Sequence, residues 1–370
     1  MAAPPDGGTL PQMERLGIVG LPNSGKSSLF NALTGGSALV AAHPFSTTET
    51  TQGVAQVPDD RLHQLAVMSE SRKVVPAAVE FVDIAGLAAG ASTGEGLGNR
   101  FLAGIREADA LCLVLRAFED ANVVGGHDPL EDLGVLELEL VLADAATVDG
   151  QIDKRRKAAK SDKSLQGEVD ALERAQAELD AGTPIYRSGL GSDDKAALRS
   201  FFLLTNKPVL AVVNLGEDQV ADPEAVIKPV ADELGGHGDV LGVSVALEAE
   251  AAQLDPDERT ELLEGLGLGE GALPRVARAA YHLLGRRTFF TTGDKESRAW
   301  TFRSGARAPE CAGVIHSDLQ RGFIRAEVIH WDELLAVGSW NKAKEAGKLR
   351  VEGKDYEVVD GDVLEIRFNV

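Results

Sequence analysis

The sequence predicts an α/β fold: a mostly parallel sheet with helices on both faces, interrupted by a helical hairpin and followed by a small α+β domain. Three observations predict it. From residue 16 to residue 245, short apolar runs bounded by turn residues alternate with stretches of helical spacing. Residues 136–181 break that rhythm with Glu-, Leu-, Ala- and Lys-rich sequence and no strand signal. Beyond Gly285 the texture changes again, to short strands and a period-two ending.

The first residues, 1–12, are polar and rich in Gly and Pro, without a basic start or an apolar stretch, and are expected to be a disordered tail rather than a signal peptide. Residues 16–19 are apolar and end in Gly20, the pattern of a buried parallel strand. Leu29, Phe30 and Leu33 then keep helical spacing until Gly35-Gly36 stops the helix. Further strands are expected at residues 79–84, 110–115, 208–213 and 240–245. Within 136–181, Leu165, Val169, Leu172 and Leu179 keep helical spacing, so the segment reads as two long antiparallel helices. After residue 285, strands are expected at 288–291, 298–302 and 323–329. The turn Asp360-Gly361-Asp362 leads into a last strand whose Leu364, Ile366, Phe368 and Val370 should face a core.

Length and composition bound the function. A chain of 370 residues is too long for one ordinary core. No apolar run approaches the ~20 residues of a membrane helix, so no membrane partner is expected. The two cysteines are far apart in sequence, and Cys112 lies in an apolar run where a buried thiol is expected. No disulfide or metal pattern is present, which fits a reducing cytoplasm. A net charge of −21 argues against coating by nucleic acid, and DNA is not an expected partner. Against that acidic background stands one basic cluster, Lys154, Arg155, Arg156, Lys157, Lys160 and Lys163, at the end of the first hairpin helix. It reads either as a solvated helix end or as a contact for RNA phosphate.

The strongest chemical signal is Gly20-Leu21-Pro22-Asn23-Ser24-Gly25-Lys26-Ser27, between a strand and a helix. It fits G-x-x-x-x-G-K-[ST], the phosphate-binding P-loop. Backbone N–H groups of such a loop converge on phosphate oxygens, aided by the helix N-terminus. Asn23, Ser24, Gly25, Lys26, Ser27 and Ser28 are thus candidate nucleotide-binding residues. Lys26 would reach the outer phosphates, and the Ser27 hydroxyl would face Mg²⁺. At the end of the second strand, Asp83-Ile84-Ala85-Gly86 is the D-x-x-G arrangement of a switch nucleotidase. Asp83 would hold Mg²⁺ through a water, and the Gly86 N–H would sense the γ-phosphate. Gly90, Gly94, Gly96 and Gly98 follow, a composition costly to order without a ligand. Between the two motifs, Thr47 or Thr48 stands where a threonine completes the Mg²⁺ shell.

Guanine-specific enzymes read the base with N-K-x-D after a buried strand. Here the same place carries Asn214-Leu215-Gly216-Glu217. The Lys is absent and Glu217 replaces the Asp that accepts from guanine, which argues against strict GTP specificity. Ras-like enzymes follow D-x-x-G with a Gln that orients the attacking water. Here that residue is Leu87, which cannot, so slow turnover is expected and no catalytic group is named.

These residues resemble the YchF subfamily of Obg-like P-loop nucleotidases. The match runs from Met13 to Val370. It is carried by Gly20 to Ser28, Pro44-Phe45-Ser46-Thr47, Phe81 to Leu87 and the stretch GASTGEGLGN at 90–99. In the tail it is carried by Gly322 to Glu327, Glu352 to Tyr356 and Phe368-Asn369-Val370. The resemblance implies an Obg-type G domain at 13–285, a helical insertion at 136–205 and a C-terminal β-grasp-like TGS domain at 286–370. It implies Thr47 as the Mg²⁺ ligand, makes Leu87 expected, and identifies Ser244-Val245-Ala246 as the loop that backs the base. It also implies acceptance of ATP alongside or over GTP, a ribosomal or large-subunit partner, and a regulatory role in translation or stress. A monomer is expected. The sequence departs from the family pattern at Thr50-Thr51, where Pro-Asn is usual. It departs again at Leu113, where some bacterial members carry a His suspected of aiding catalysis. The competing expectations are a GTP-specific ribosome-associated factor and a nucleotide sensor with negligible turnover.

Overall fold

The computed structural model describes residues 14–35, 51–84, 97–266 and 268–369; of residues 97–100 and of Pro256 only the backbone is described. The tail 1–12, Thr47, Thr48, Gly86, Leu87, the glycines between 90 and 96, and Val370 lie outside these residues.

Along the chain run β1 (Arg15–Gly20), α1 (Lys26–Thr34), β2 (Thr51–Val57), α2 (Asp60–Met68), β3 (Val74–Val75), β4 (Ala77–Asp83), α3 (Leu97–Glu107) and β5 (Ala110–Arg116). The hairpin follows as α4 (Pro129–Ala159) and α5 (Gln166–Asp180), then α6 (Ser192–Ala197), β6 (Val209–Asn214), α7 (Glu224–Leu234), β7 (Gly238–Val243), α8 (Val245–Ala251), α9 (Pro256–Gly265) and α10 (Leu273–Leu283). The chain ends with β8 (Arg286–Thr291), β9 (Ser297–Arg303), α11 (Ala308–Ile315), α12 (Ser317–Arg321), β10 (Phe323–His330), α13 (Trp331–Val337), α14 (Trp340–Glu345), β11 (Arg350–Glu352) and β12 (Asp362–Phe368).

Two compact units divide these elements: Met1–Val54 with Val79–Ala272, and Ala55–Ala78 with Leu273–Val370. In the first, the sheet runs β2-β4-β1-β5-β6-β7. β1 pairs in parallel with β4 and with β5, and β5, β6 and β7 continue in parallel. The chain moves outward from β1 on one side and returns to its other side at β5. A sheet reversing its winding there opens a crevice at the carboxyl ends of those strands, the usual ligand position in such folds. β5 and β6 are buried along their whole length, as expected of central strands covered on both faces. Leu111, Leu113, Leu115, Ala211 and Val213 pack with Leu136 and Leu140 of α4 and with Val230 and Leu234 of α7. Each fully buried Leu or Val there contributes roughly 1.5–3 kcal/mol. The outer half of α4 builds a second core with α5: Val148 and Ile152 meet Leu172, Ala175 and Leu179.

The second unit holds the sheet β11-β10-β12-β8-β9-β3. Its ladders are antiparallel except at β12–β8 and β3–β9. Phe289, Phe302, Phe323, Val328 and Leu364 form its core under Cys311 and Ala312 of α11. Residues 55–78 belong to this unit by contact, although in sequence they lie between two strands of the other sheet. Arg61 explains much of that anchorage. It stacks on Phe290 at 5.2 Å and donates to Asp59 at 2.7 Å and to Asp360 at 2.6 Å.

Three expectations are corrected. The strand expected at 240–245 ends at Val243, because Ser244 is the N-cap of α8 and Val245 opens the helix. The hairpin's first helix starts at Pro129, ahead of residue 136, because the Asp128 side chain accepts from Leu130 N and Pro129 fits a first helical position. Phe368 does not face the core and is 47% exposed. It sits where the β10–β12 register shifts between Phe323 and Arg325, so the alternation fails at the strand end. β2 and β3 carried no signal that the reading used.

Candidate functional site

The P-loop closes over the carboxyl end of β1. Gly20 is required by space: a Cβ there would lie 2.6 Å from Ser24 Oγ and 2.6 Å from the Val114 carbonyl. Asn23 and Gly25 adopt left-handed backbone, with φ of 65° and 94°. Gly25 is the N-cap of α1 and no side chain caps the helix, so its first N–H groups are left for a ligand. The hydroxyls of Ser27 and Ser28 are on the exposed side of this first turn, and Ser24 is buried.

Lys26 is buried, and its ammonium donates to the loop's own Leu21 carbonyl at 3.2 Å. Burial pushes its pKa below the ordinary lysine value, and the Asp83 carboxylate offsets part of that. Ser27 Oγ donates to Asp83 Oδ2 at 2.8 Å. Burial raises the Asp83 pKa, while the Ser27 hydroxyl and the Lys26 charge pull it down. The structure thus brings together Lys26 and Ser27 from the start of α1 and Asp83 from the end of β4. A hydroxyl and a carboxylate side by side are hard oxygen donors of the kind Mg²⁺ takes, so the donor set fits that ion.

The base side is organised by Asn214. Its side chain is buried; Nδ2 donates to Ser24 O at 3.0 Å and Oδ1 accepts from Val245 N at 3.2 Å. Its carbonyl accepts from Ala117 N at 2.9 Å and Phe118 N at 3.1 Å. Asn214 therefore binds protein on every polar atom of its side chain and acts on the site by fixing three loops. Leu215 is buried, and its N–H donates to Val243 O. Glu217 is exposed and opens a single 3₁₀ turn (Glu217–Gln219). Ser244 is buried, Val245 is buried and Ala246 is exposed.

Two members of this framework had not been singled out from sequence. Gln219 closes the base loop: Oε1 accepts from Gly216 N at 2.8 Å and Nε2 donates to Ala117 O at 3.2 Å. Arg116, at the end of β5, is 3% exposed. A charged residue directly after an apolar strand was the available signal. Leu113 lies inside the sheet, fully buried, in register with Val19 and Ala211. In the basic cluster, Arg155 pairs with Glu168 at 3.3 Å and Arg156 with Glu173 at 2.8 Å, so both guanidiniums are partly spent on α5. Lys154, Lys157, Lys160 and Lys163 are exposed and make no ion pair among the described residues. No helix among the described residues is long and apolar enough to cross a membrane.

The model of a family described as "50S ribosome-binding GTPase" matches residues 15–165. The model of the YchF GTPase C-terminal family, described as "Protein of unknown function (DUF933)", matches residues 287–369. The chain is 47% identical to the ribosome-binding ATPase YchF of Bacillus subtilis, covering 96% of this chain and 99% of that protein. It is 46% identical to that of Haemophilus influenzae over the same shares. The solved structure of the Schizosaccharomyces pombe YchF GTPase superposes with a TM-score of 0.84 at 33% identity, covering 96% of this chain and 97% of that one. With a P-loop at the winding reversal of its first sheet, a C-terminal α+β unit and relatives matched almost end to end, the chain belongs to the YchF family of P-loop nucleotidases.

Proposed function

We propose that this chain is an Mg²⁺-dependent nucleoside triphosphatase of the YchF type that cleaves the β–γ phosphate bond, accepts ATP at least as well as GTP, and acts as a switch on the ribosome. The observation that carries the reading is the Lys26–Ser27–Asp83 group beneath an uncapped helix N-terminus. Bound Mg²⁺ would neutralise charge on the β- and γ-phosphates. Ser27 and Asp83 would hold it, and Thr47 would join them. Lys26 would exchange the Leu21 carbonyl for phosphate oxygen, a trade favoured because an ammonium bonds an anion more strongly than a neutral carbonyl. The N–H groups of residues 25–28 would cradle the phosphates, and Gly86 would sense the γ-phosphate.

For the base, the exposed Glu217 at the mouth of the base loop supports relaxed specificity, since no Asp is fixed there to select guanine. Asn214, Leu215 and the backbone of 244–246 would line the purine site. Slow intrinsic turnover follows from Leu87 and from the burial of Leu113, neither of which can activate water. The G domain at 13–285, its insertion at 136–205 and the TGS domain at 286–370 remain the proposed division of labour. The relatives' ribosome binding supports a ribosomal partner, with the four exposed lysines of the hairpin tip as the RNA contact. A cytoplasmic monomer is part of the same reading.

The test is affinity for ATP and GTP with Mg²⁺, measured side by side on purified protein. Equal or tighter ATP binding supports the reading. GTP tighter by tenfold or more, about 1.4 kcal/mol, overturns the base-site part of it.

A further inference from the structure

We propose that Arg116 is a positioning residue for the phosphate loop, acting on Asn23 through the carbonyl of Val124. The inference rests on the reading of residues 20–27 as the nucleotide site.

Every position of β5 before Arg116 is apolar and buried, and an apolar residue would continue that pattern at no electrostatic cost. Instead the strand ends in a guanidinium that is 3% exposed. A buried cation is expensive unless its donors are used. Here they converge on one loop, residues 117–128. Nε donates to Phe118 O at 3.1 Å, and the two terminal nitrogens reach the Val123 carbonyl at 3.4 Å. One of them also reaches the Val124 carbonyl at 3.5 Å, and the guanidinium stacks on Phe118 at 4.5 Å. Its own N–H donates to the buried Asp132 carboxylate at 2.9 Å. The planar fork of arginine suits such a set of carbonyls, where the point charge of lysine does not.

The start of this loop meets the base side through Asn214 and Gln219, and its far end reaches the phosphate loop. Asn23 Nδ2 donates to Val124 O at 3.1 Å. Asn23 has left-handed backbone, φ 65°, a conformation asparagine adopts more readily than other residues with a side chain, and the bond to Val124 O fixes its amide there. The Val124 side chain is 85% exposed, so the residue contributes its carbonyl alone. Gly125, next in the chain, has φ 121°, and a Cβ there would lie 3.6 Å from the Arg116 terminal nitrogen. The result is a relay: Arg116 fixes the 123–124 carbonyls, Val124 O fixes Asn23, and Asn23 holds the curve of the loop over the phosphates.

The test is a double-mutant cycle on affinity for ADP and ATP with Mg²⁺ and on single-turnover hydrolysis. Its variants are Arg116→Met, Asn23→Ala and the pair, with Arg116→Lys and Gly125→Val alongside. Residues coupled through shared contacts interact by roughly 0.5–3 kcal/mol, so non-additivity of about threefold or more is expected. Arg116→Met should weaken binding of the native sequence but have little further effect on Asn23→Ala. Arg116→Lys should resemble Arg116→Met. Gly125→Val distorts an exposed loop and should reproduce the defect with the melting temperature preserved, which covers the case where Arg116→Met fails to fold. Strict additivity, or a Gly125→Val protein with unchanged affinity, overturns the relay while leaving the nucleotide site intact. A native protein that binds neither nucleotide overturns the proposed function and the relay together.

Discussion

The side chain of Asn214 donates to the main-chain carbonyl of Ser24 across 3.0 Å, joining the loop at the end of β6 to the phosphate loop. Residues 190 apart in sequence thus share one buried hydrogen bond, and the other end of the same amide receives Val245 N. Loss of either partner leaves a buried polar group unsatisfied. Asn214→Ala is therefore expected to cost about 1–3 kcal/mol of folding free energy. It should weaken both ADP and GDP binding, since the damage falls on the phosphate loop as well as the base loop. Calorimetric titration alongside thermal melting checks this. A change confined to the choice of base, with no loss of stability, would contradict the bracing role of Asn214.

Gly25 is tested by Gly25→Ala. The added Cβ would lie 2.3 Å from Asn214 Nδ2, in a backbone with φ 94°. Left-handed backbone alone costs a residue with a Cβ roughly 1–2 kcal/mol, and the clash displaces the Asn214 amide as well. Nucleotide affinity should fall at least tenfold, with a smaller loss in melting temperature. Wild-type affinity in this variant would contradict the described loop geometry.

The cysteines give a prediction in the opposite direction. Burial pushes the thiols of Cys112 and Cys311 up to about 12. Because the thiolate is the nucleophile, a raised value leaves almost none at pH 8. Neither should react with iodoacetamide in the native protein, and both should react in denaturant. Mass spectrometry after timed labelling reads this directly, and rapid native labelling of Cys112 would place β5 elsewhere than the sheet centre.

A pH prediction concerns the β8–β9 turn. Arg298 and Lys73 hold the Glu296 carboxyl down to about 2, against an ordinary 4.5. A lowered folded value stabilises the protein above the unfolded value, and that contribution is lost as pH falls from about 4.5 toward 2. Glu296 and Lys73 are partly exposed, so the contribution is small, below ~1 kcal/mol. Glu296→Gln should lower stability at neutral pH by that small amount, flatten the acid limb of the curve and leave stability near pH 2 unchanged.

How much was legible in the sequence differs by element. β1, β4, β5 and β6 were readable because buried parallel strands are continuous apolar runs, and the P-loop because its spacing carries its own mechanism. Lys26, Ser27 and Asp83 were placed correctly relative to one another from motif order alone. One role of Asn214 was not: the sequence suggests contact with the base, and only the fold reveals that its side chain also ties Ser24 to Val245. Arg116 and Gln219 act through backbone carbonyls and amides, which leave no residue-type signature at their partners. The anchoring of residues 55–78 through Arg61 and Asp360 depends on a contact between distant stretches of chain, invisible to periodicity. Phe368 escaped its expected face because a register shift, not the alternation, governs the end of β12.

The central claim, that the Lys26–Ser27–Asp83 group serves nucleotide hydrolysis, is tested most directly by phosphate release from ATP with and without Mg²⁺, in the native protein and in Lys26→Ala. The account predicts slow, Mg²⁺-dependent release that falls by roughly 10²-fold or more in the variant, the scale of losing one charge-stabilising donor. Release that is undiminished in Lys26→Ala, or indifferent to Mg²⁺, would contradict it.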